Sequence, residues 1–207
     1  KASTAPIQCG SVALYCPAGS PIVNAATSGH YTTPTSAVDE RRVGQLPCEA
    51  GFACVGGIKS ECIEGSTYQS DTSQTSCLTC SLCSAGTYET SACTTTTDRQ
   101  CSPCVAPTYS DGGLTCKQCN GEGQYNDEDG AAFCKTAKAG YKPTLDHKAE
   151  ERCPAGKYST GGTNACSDCG DGETSGAGAA GCSTCASCAT GRYMISTCTP
   201  TSETECG

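Results

Sequence analysis

The residues best placed to do chemistry in this sequence are its cysteines, which recur as C-x-x-C pairs. Seven such pairs occur, at 77/80, 80/83, 101/104, 116/119, 166/169, 182/185 and 185/188. Two C-x-x-C turns can aim their sulfurs at one ion and close a tetrahedral thiolate zinc site. The arrangement here argues against that use. Cys80 and Cys185 each belong to two pairs, so the candidate sites overlap, and only His30 and His147 are available to vary the ligands. Thiol–disulfide redox chemistry fits less well, because no βαβ thioredoxin pattern surrounds any pair. The reading that remains is a seam, where one disulfide loop closes and the next opens. No metal and no cofactor is therefore expected.

Two groups of carboxylates have the spacing of a calcium loop: Asp127 and Asp129 before Gly130, and Asp168, Asp171 and Glu173. Neither continues into the full EF-hand pattern, since the bidentate Glu that should close the loop is missing. They read as solvated turn formers. Catalysis has little to build on. The chain has no G-x-S-x-G, P-loop or H-E-x-x-H motif, and His147 beside Asp146 is its one His–acid neighbour pair. An enzyme is not expected.

The elements that hold these residues must be built almost without an apolar core. The chain has 22 cysteines in 207 residues, no Trp and two Phe, and Leu, Ile, Val and Phe together number 19. That is far below the ~20% at which a chain normally buries enough apolar surface to fold. Without its cysteines the composition would read as disordered. A bridge that closes a loop of ~15 residues contributes about 3 kcal/mol, mainly by restricting the unfolded chain. Several such bridges offset ordering entropy that apolar burial here cannot. The even count leaves no half-cystine over, and such a chain needs an oxidising compartment. An extracellular or cell-surface location, reached through the secretory pathway, follows as the expectation. No apolar run approaches the ~18 residues of a membrane-spanning helix. The chain starts at Lys1 without an apolar leader, so a signal peptide is expected to have been removed or to lie outside this sequence. The net charge of −8 argues against nucleic acid and anionic membranes as partners.

The cysteine spacing repeats. Cys62, Cys77, Cys80, Cys83, Cys93 and Cys101 are separated by 14, 2, 2, 9 and 7 residues. The last five recur as Cys182, Cys185, Cys188, Cys198 and Cys206, each shifted by 105 positions. The intervening text is similar, SAGTYETSACTTTTDRQC against ATGRYMISTCTPTSETEC, which marks a duplication. Tyrosines follow the same beat. Tyr88, Tyr109, Tyr158 and Tyr193 lie five residues after a cysteine, and Tyr68 and Tyr125 lie six after. Each ring is expected to pack flat over its own bridge with the hydroxyl at the wet edge. The competing use is an exposed aromatic ladder for carbohydrate or protein. Residues 94–97 and other Ser/Thr loops are candidate acceptors for O-linked sugar; no N-x-[ST] sequon is present.

Residues 1–61 are the least regular part, with some hairpin or turn content expected around Tyr31 and Val43. Their four cysteines allow Cys9–Cys16 with Cys48–Cys54, or a crossed Cys9–Cys48 with Cys16–Cys54, and spacing does not decide between them. Residues 120–152 hold 12 of the 34 charged residues and a single cysteine, Cys134. They read as a looser junction in which DHKAEER at 146–152 could form a helical turn.

The spacing C-x14-C-x2-C-x2-C-x9-C-x7-C resembles the cysteine-rich repeat of the tumour-necrosis-factor-receptor family. That resemblance implies the pairs Cys62–Cys77, Cys80–Cys93 and Cys83–Cys101. For the second copy it implies Cys169–Cys182, Cys185–Cys198 and Cys188–Cys206, although the first gap there is 12 rather than 14. The loops Cys104-VAPTYSDGGLT-Cys116 and Cys153-PAGKYSTGGTNA-Cys166 resemble short ephrin-receptor-like cysteine loops. Such loops occur in receptor ectodomains and in surface proteins of single-celled eukaryotes. They imply Cys104–Cys116, Cys119–Cys134 and Cys153–Cys166.

The expected fold class is small and disulfide-rich, mostly irregular with short β-ribbons, an elongated tandem array of cystine-stapled units. Its parts are an irregular N-terminal cysteine module at 1–61 and a receptor-type repeat at 62–104. Single-bridge loops follow at 105–168, with the charged junction 120–152 inside them, and a second receptor-type repeat at 169–207. The resemblance to protist coat antigens implies an extracellular structural or surface-coat protein, with a filament or appendage subunit as one form. Its partners would be proteins, by self-association or as surface-layer neighbours, with carbohydrate as another class. The alternative is a ligand-binding receptor ectodomain of the tumour-necrosis-factor-receptor type.

Overall fold

A computed structural model describes residues 9–36 and 41–207. Among these residues there is no α-helix, and the regular structure consists of eleven two-stranded ribbons. The chain divides into two compact units, residues 1–82 with 89–101 and residues 83–88 with 102–207.

The second unit shows how the cysteine seams make ribbons. Thr108–Tyr109 pairs with Lys117–Gln118, Gln124–Tyr125 with Lys135–Thr136, Lys157–Tyr158 with Ser167–Asp168, and Glu173–Thr174 with Ser183–Thr184, all antiparallel. In three of these four the second strand is the pair of residues inside a C-x-x-C seam. In the ribbon after Cys134 the third residue beyond the cysteine is Ala137 instead. A ribbon of two residue pairs is too short to stand alone in water. Cystines supply what the ladder lacks. Cys104–Cys116, Cys119–Cys134, Cys153–Cys166 and Cys169–Cys182 close these loops with Cα separations of 5.7, 5.6, 5.8 and 5.7 Å. Cys185–Cys198 and Cys188–Cys206 form a crossed pair around the ribbon of Met194–Ser196 with Glu205–Cys206.

The first unit begins with two longer hairpins, His30–Thr33 with Gly44–Pro47 and Phe52–Val55 with Ile58–Glu61. The first spans the stretch where a hairpin was expected around Tyr31 and Val43. The N-terminal cysteines pair sequentially, Cys9–Cys16 and Cys48–Cys54, and Cys62–Cys77 and Cys80–Cys93 follow. Cys83 and Cys101 are disulfide-bonded as well, so all 22 cysteines are in bridges. The buried apolar residues are almost entirely half-cystines, with Tyr31, Tyr125 and Ala137 the other members.

Tyr31 packs with Cys48 and Cys54, and Phe52 lies against them. The ammonium of Lys59 sits 4.9 Å from the Tyr31 ring centre and 4.0 Å from that of Phe52. Glu49 ties this patch together, accepting from the Tyr31 hydroxyl at 3.0 Å and pairing with Lys59 at 2.6 Å. The Lys59 ammonium, followed by the backbone N–H of Glu49 and the Tyr31 hydroxyl, holds the Glu49 carboxyl below the ordinary glutamate range. A carboxyl depressed in the folded state stabilises fully above its unfolded value, and that contribution fades as pH falls through the folded value. Because the Glu49 side chain is half exposed, Glu49→Gln should cost less than about 1 kcal/mol at neutral pH. An NMR titration should find the Glu49 carboxyl protonating at lower pH than exposed glutamates; an ordinary midpoint would contradict the pairing.

Residues 120–152, expected as a looser junction, hold regular structure. They form two ribbons in the same series, the second being Tyr141–Pro143 with Glu150–Arg152. DHKAEER is a turn and a strand rather than helix. Its charges lie across the ribbon from partners, as in the Lys142–Glu151 ion pair and the Arg152 guanidinium 6.0 Å from the Tyr141 ring. Cross-strand pairing of this kind favours strand over helix.

Candidate functional site

The feature that recurs throughout both units is the junction between successive modules. At the end of each module the N–H of its closing residue donates to a carbonyl near the module's start. In the first unit Cys48, Cys62 and Cys80 donate to Gly29, Gly51 and Ser66, each at 2.9 Å. In the second, Cys104, Cys119, Ala137, Cys153, Cys169 and Cys185 donate to Gly86, Pro107, Gly123, Gly140, Gly156 and Gly172 at 2.8–3.1 Å. Ala137 thus occupies a cysteine position in the frame.

The residue after the tyrosine joins one module to the next. Thr32, Gln69, Ser110, Asn126 and Ser159 are all buried, as is Ser175, where Thr174 takes the tyrosine's position; Thr32, Ser110 and Asn126 are completely so. Strand alternation explains the placement: the tyrosine points to one side and its successor to the other, where the next module covers it. The N–H groups of these six donate to Gly57, Thr95, Ala131, His147, Ala179 and Pro200. The carbonyls of Gln69, Ser110, Ser159 and Ser175 accept from Gly51, Gly86, Gly140 and Gly156. Pro107 stands where the glycine would be opposite Asn126 and has no N–H to give. Asn126 compensates by donating its own amide to the carbonyls of Thr108 and Glu128, both at 2.8 Å.

The two copies of the duplicated cysteine pattern make their junction with a threonine turn. The Thr94 hydroxyl accepts from the N–H groups of Thr96 and Thr97 at 3.2 and 3.0 Å, which presents the Thr95 carbonyl to Gln69. In the second copy Thr199 and Ser202 close the turn through their backbones, and the Pro200 carbonyl accepts from both Ser175 and the Thr174 hydroxyl. Residues 94–97, candidates for O-linked sugar, form the docking turn.

The tyrosines follow their expected position unevenly. Tyr68, Tyr88, Tyr109 and Tyr158 are half-buried and Tyr125 is buried, but Tyr193 is 71% exposed. Tyr193 departs from the expectation, its ring lying open beside Gly207. The buried cluster that unites a tyrosine with a bridge involves Tyr31, which the spacing rule did not select. Ring faces elsewhere take cations, with Lys117 of the paired strand 5.9 Å from Tyr109 and Lys138, three residues earlier in the chain, 4.1 Å from Tyr141. Tyr88 and Tyr158 also form parallel backbone bridges to Gly113 and Ala179 in the following modules.

Of the carboxylates considered for calcium, Asp127, Asp129, Asp168 and Glu173 have protein partners, while Asp171 is exposed. Lys135 binds Asp127 at 2.6 Å and Glu128 at 2.7 Å, and Asp129 accepts from the Ala106 N–H at 2.9 Å. Asp168 pairs with Lys157 at 2.6 Å, and Glu173 accepts from the Gly170 N–H at 3.1 Å. His147 and Asp146 do not act as a pair. The His147 ring donates from Nδ1 to the Gln124 carbonyl at 2.6 Å, and Asp146 accepts from the Thr144 hydroxyl and the Lys148 N–H. Among the described residues one group of metal-ligating types converges, Cys80, Cys93 and Asp98. Its two sulfurs are bonded to each other and so offer no thiolate, and Asp98 binds the N–H and hydroxyl of Ser81 at 2.7 and 2.6 Å.

Sequence reasoning missed one site. Two residues separate Cys134 from Ala137 and Glu150 from Cys153, the spacing that elsewhere joins two cysteines. Ala137 and Glu150 therefore stand where a module's two half-cystines belong. Ala137 keeps the backbone bonds of that position, donating to Gly123 and accepting from Gly162. Glu150 instead accepts from the Lys138 N–H at 3.2 Å and pairs with its ammonium.

Residues 62–101 match the TNFR/NGFR cysteine-rich region. A search of the curated proteins finds no match to the chain. The matched region and the bonded state of every cysteine fit an extracellular, disulfide-rich repeat protein, and no helix of the described residues is long and apolar enough to cross a membrane.

Proposed function

We propose that this chain is a non-catalytic structural protein of the extracellular surface, a coat or filament component whose disulfides serve as its core. The observation that carries this reading is the repeated junction. Buried side chains that could have formed a reaction centre, from Thr32 to Ser175, hold one module to the next through backbone bonds. Quasi-one-dimensional stacking of this type makes a scaffold whose stability is summed from neighbour contacts. Its partners would be further copies of itself or neighbouring proteins of the surface layer.

The match over residues 62–101 favours a second reading, a ligand-binding receptor ectodomain. A shared fold is weak support for a shared ligand. Electron microscopy of material purified from the native source separates the two. Ordered filaments or a surface layer are expected; a monodisperse monomer that captures a soluble protein ligand would overturn the coat reading.

A further inference from the structure

The module that lacks its cystine has a consequence for how the chain can be cut. Cys119–Cys134 is complete before it and Cys153–Cys166 begins after it, so no bridge crosses residues 135–152. Other seams of the second unit are two-residue strands between cysteines, such as Lys117–Gln118, Ser167–Asp168 and Ser183–Thr184. There the backbone is paired in a ribbon and fixed by a bridge on each side. In residues 135–152 the ribbon Tyr141–Pro143 with Glu150–Arg152 is held by hydrogen bonds and the exposed ion pairs of Lys138 and Lys142. Its tip carries Leu145, 98% exposed, and an exposed Lys148 followed by an exposed Ala149. An endopeptidase needs several residues in extended form, which a segment can supply only by opening locally. This ribbon is the one in the second unit that can open without straining a cystine.

We infer that the Lys148–Ala149 peptide bond is a processing site for an extracellular serine endopeptidase whose acidic specificity pocket takes lysine. The reaction is hydrolysis. Water adds to the Lys148 carbonyl carbon, the C–N bond to Ala149 breaks, and the products are a carboxylate on Lys148 and a new amine on Ala149. A cut inside any cystine-closed loop would leave the pieces covalently joined; this one does not. The two pieces remain in contact through the Gly140–Ser159, Cys153–Gly140 and Gly162–Ala137 hydrogen bonds. Processing thus converts one covalent chain into two stacked parts that can be parted without a reductant.

Trypsin serves as the probe on the full, unreduced chain, with intact-mass analysis and non-reducing electrophoresis as readouts. The first products should end at Lys148 and begin at Ala149 and should separate without reductant. Lys148→Gln should slow that first cut at least ~10-fold and Lys148→Arg should restore it, which excludes misfolding as the cause. The double variant Ala137→Cys/Glu150→Cys should hold the cut pieces in one covalent species. Material from the native source should contain chains with Ala149 at the N-terminus. A first cut at any other Lys or Arg, Arg41 included, or native material without an Ala149 terminus, overturns the inference.

Discussion

Replacing Ala137 and Glu150 together by cysteine is expected to close a new bridge and stabilise its module by about 3 kcal/mol. The sequence separation would be 13, the same as in Cys153–Cys166 and Cys169–Cys182, whose Cα atoms are 5.8 and 5.7 Å apart. Ala137 already makes the two backbone bonds of a module-opening cysteine, so the sulfur is introduced into a backbone set for it. The change removes the Lys138–Glu150 pair, an exposed interaction of at most about 1 kcal/mol, so the bridge dominates. Amide exchange across residues 138–152 should slow by about 100-fold if local opening governs it. Thiols that remain titratable after air oxidation would show that the two positions are not apposed.

Gly140→Ala should be among the most damaging single methyl additions in the chain. Gly140 has a φ of +83°, where an L side chain costs about 1–2 kcal/mol. A Cβ there would also run into the carbonyl of Gly178, well inside van der Waals contact. Backbone cannot step aside as a flexible side chain can, so the total should reach about 4 kcal/mol or more. Gly172 isolates the second contribution. Its φ is +77°, and nothing lies within 4 Å of the same added methyl. Gly172→Ala should therefore cost only the conformational part, about 1–2 kcal/mol. Equal losses for the two variants in thermal unfolding would mean that modules do not approach each other at Gly140.

The bridges were the most legible part of this molecule, because cysteine spacing is written directly in the chain. The loops at Cys104–Cys116 and Cys153–Cys166 and the pairs Cys62–Cys77 and Cys80–Cys93 are all found as the family resemblances imply. Among Cys9, Cys16, Cys48 and Cys54 spacing left two arrangements open, and the structure has the sequential one. The junctions were hidden for a physical reason. They are made by backbone N–H and C=O groups, which nearly every residue carries, so Thr32, Gln69, Ser110, Asn126 and Ser159 share a position with four different side chains. The tyrosine before each was visible because it is large, but the buried residue is its modest successor. The vacant bridge was overlooked because charge density in residues 120–152 reads as solvated surface. The three-residue step from Cys134 to Ala137 and from Glu150 to Cys153 was the available signal.

The stretch between Cys134 and Cys153 also determines how the second unit would respond to a pull along the chain. Tension on a cystine-closed loop is borne by covalent bonds, and a two-residue seam has almost no slack. Residues 135–152 are held by a short ladder, ion pairs and hydrogen bonds to the neighbouring modules, such as Asn126 to His147 and Gly140 to Ser159, with no disulfide across them. Drawn out straight they would span at most about 60 Å, a contour several times that of a two-residue seam. Under load that module would yield first within the second unit, before the cystines on either side.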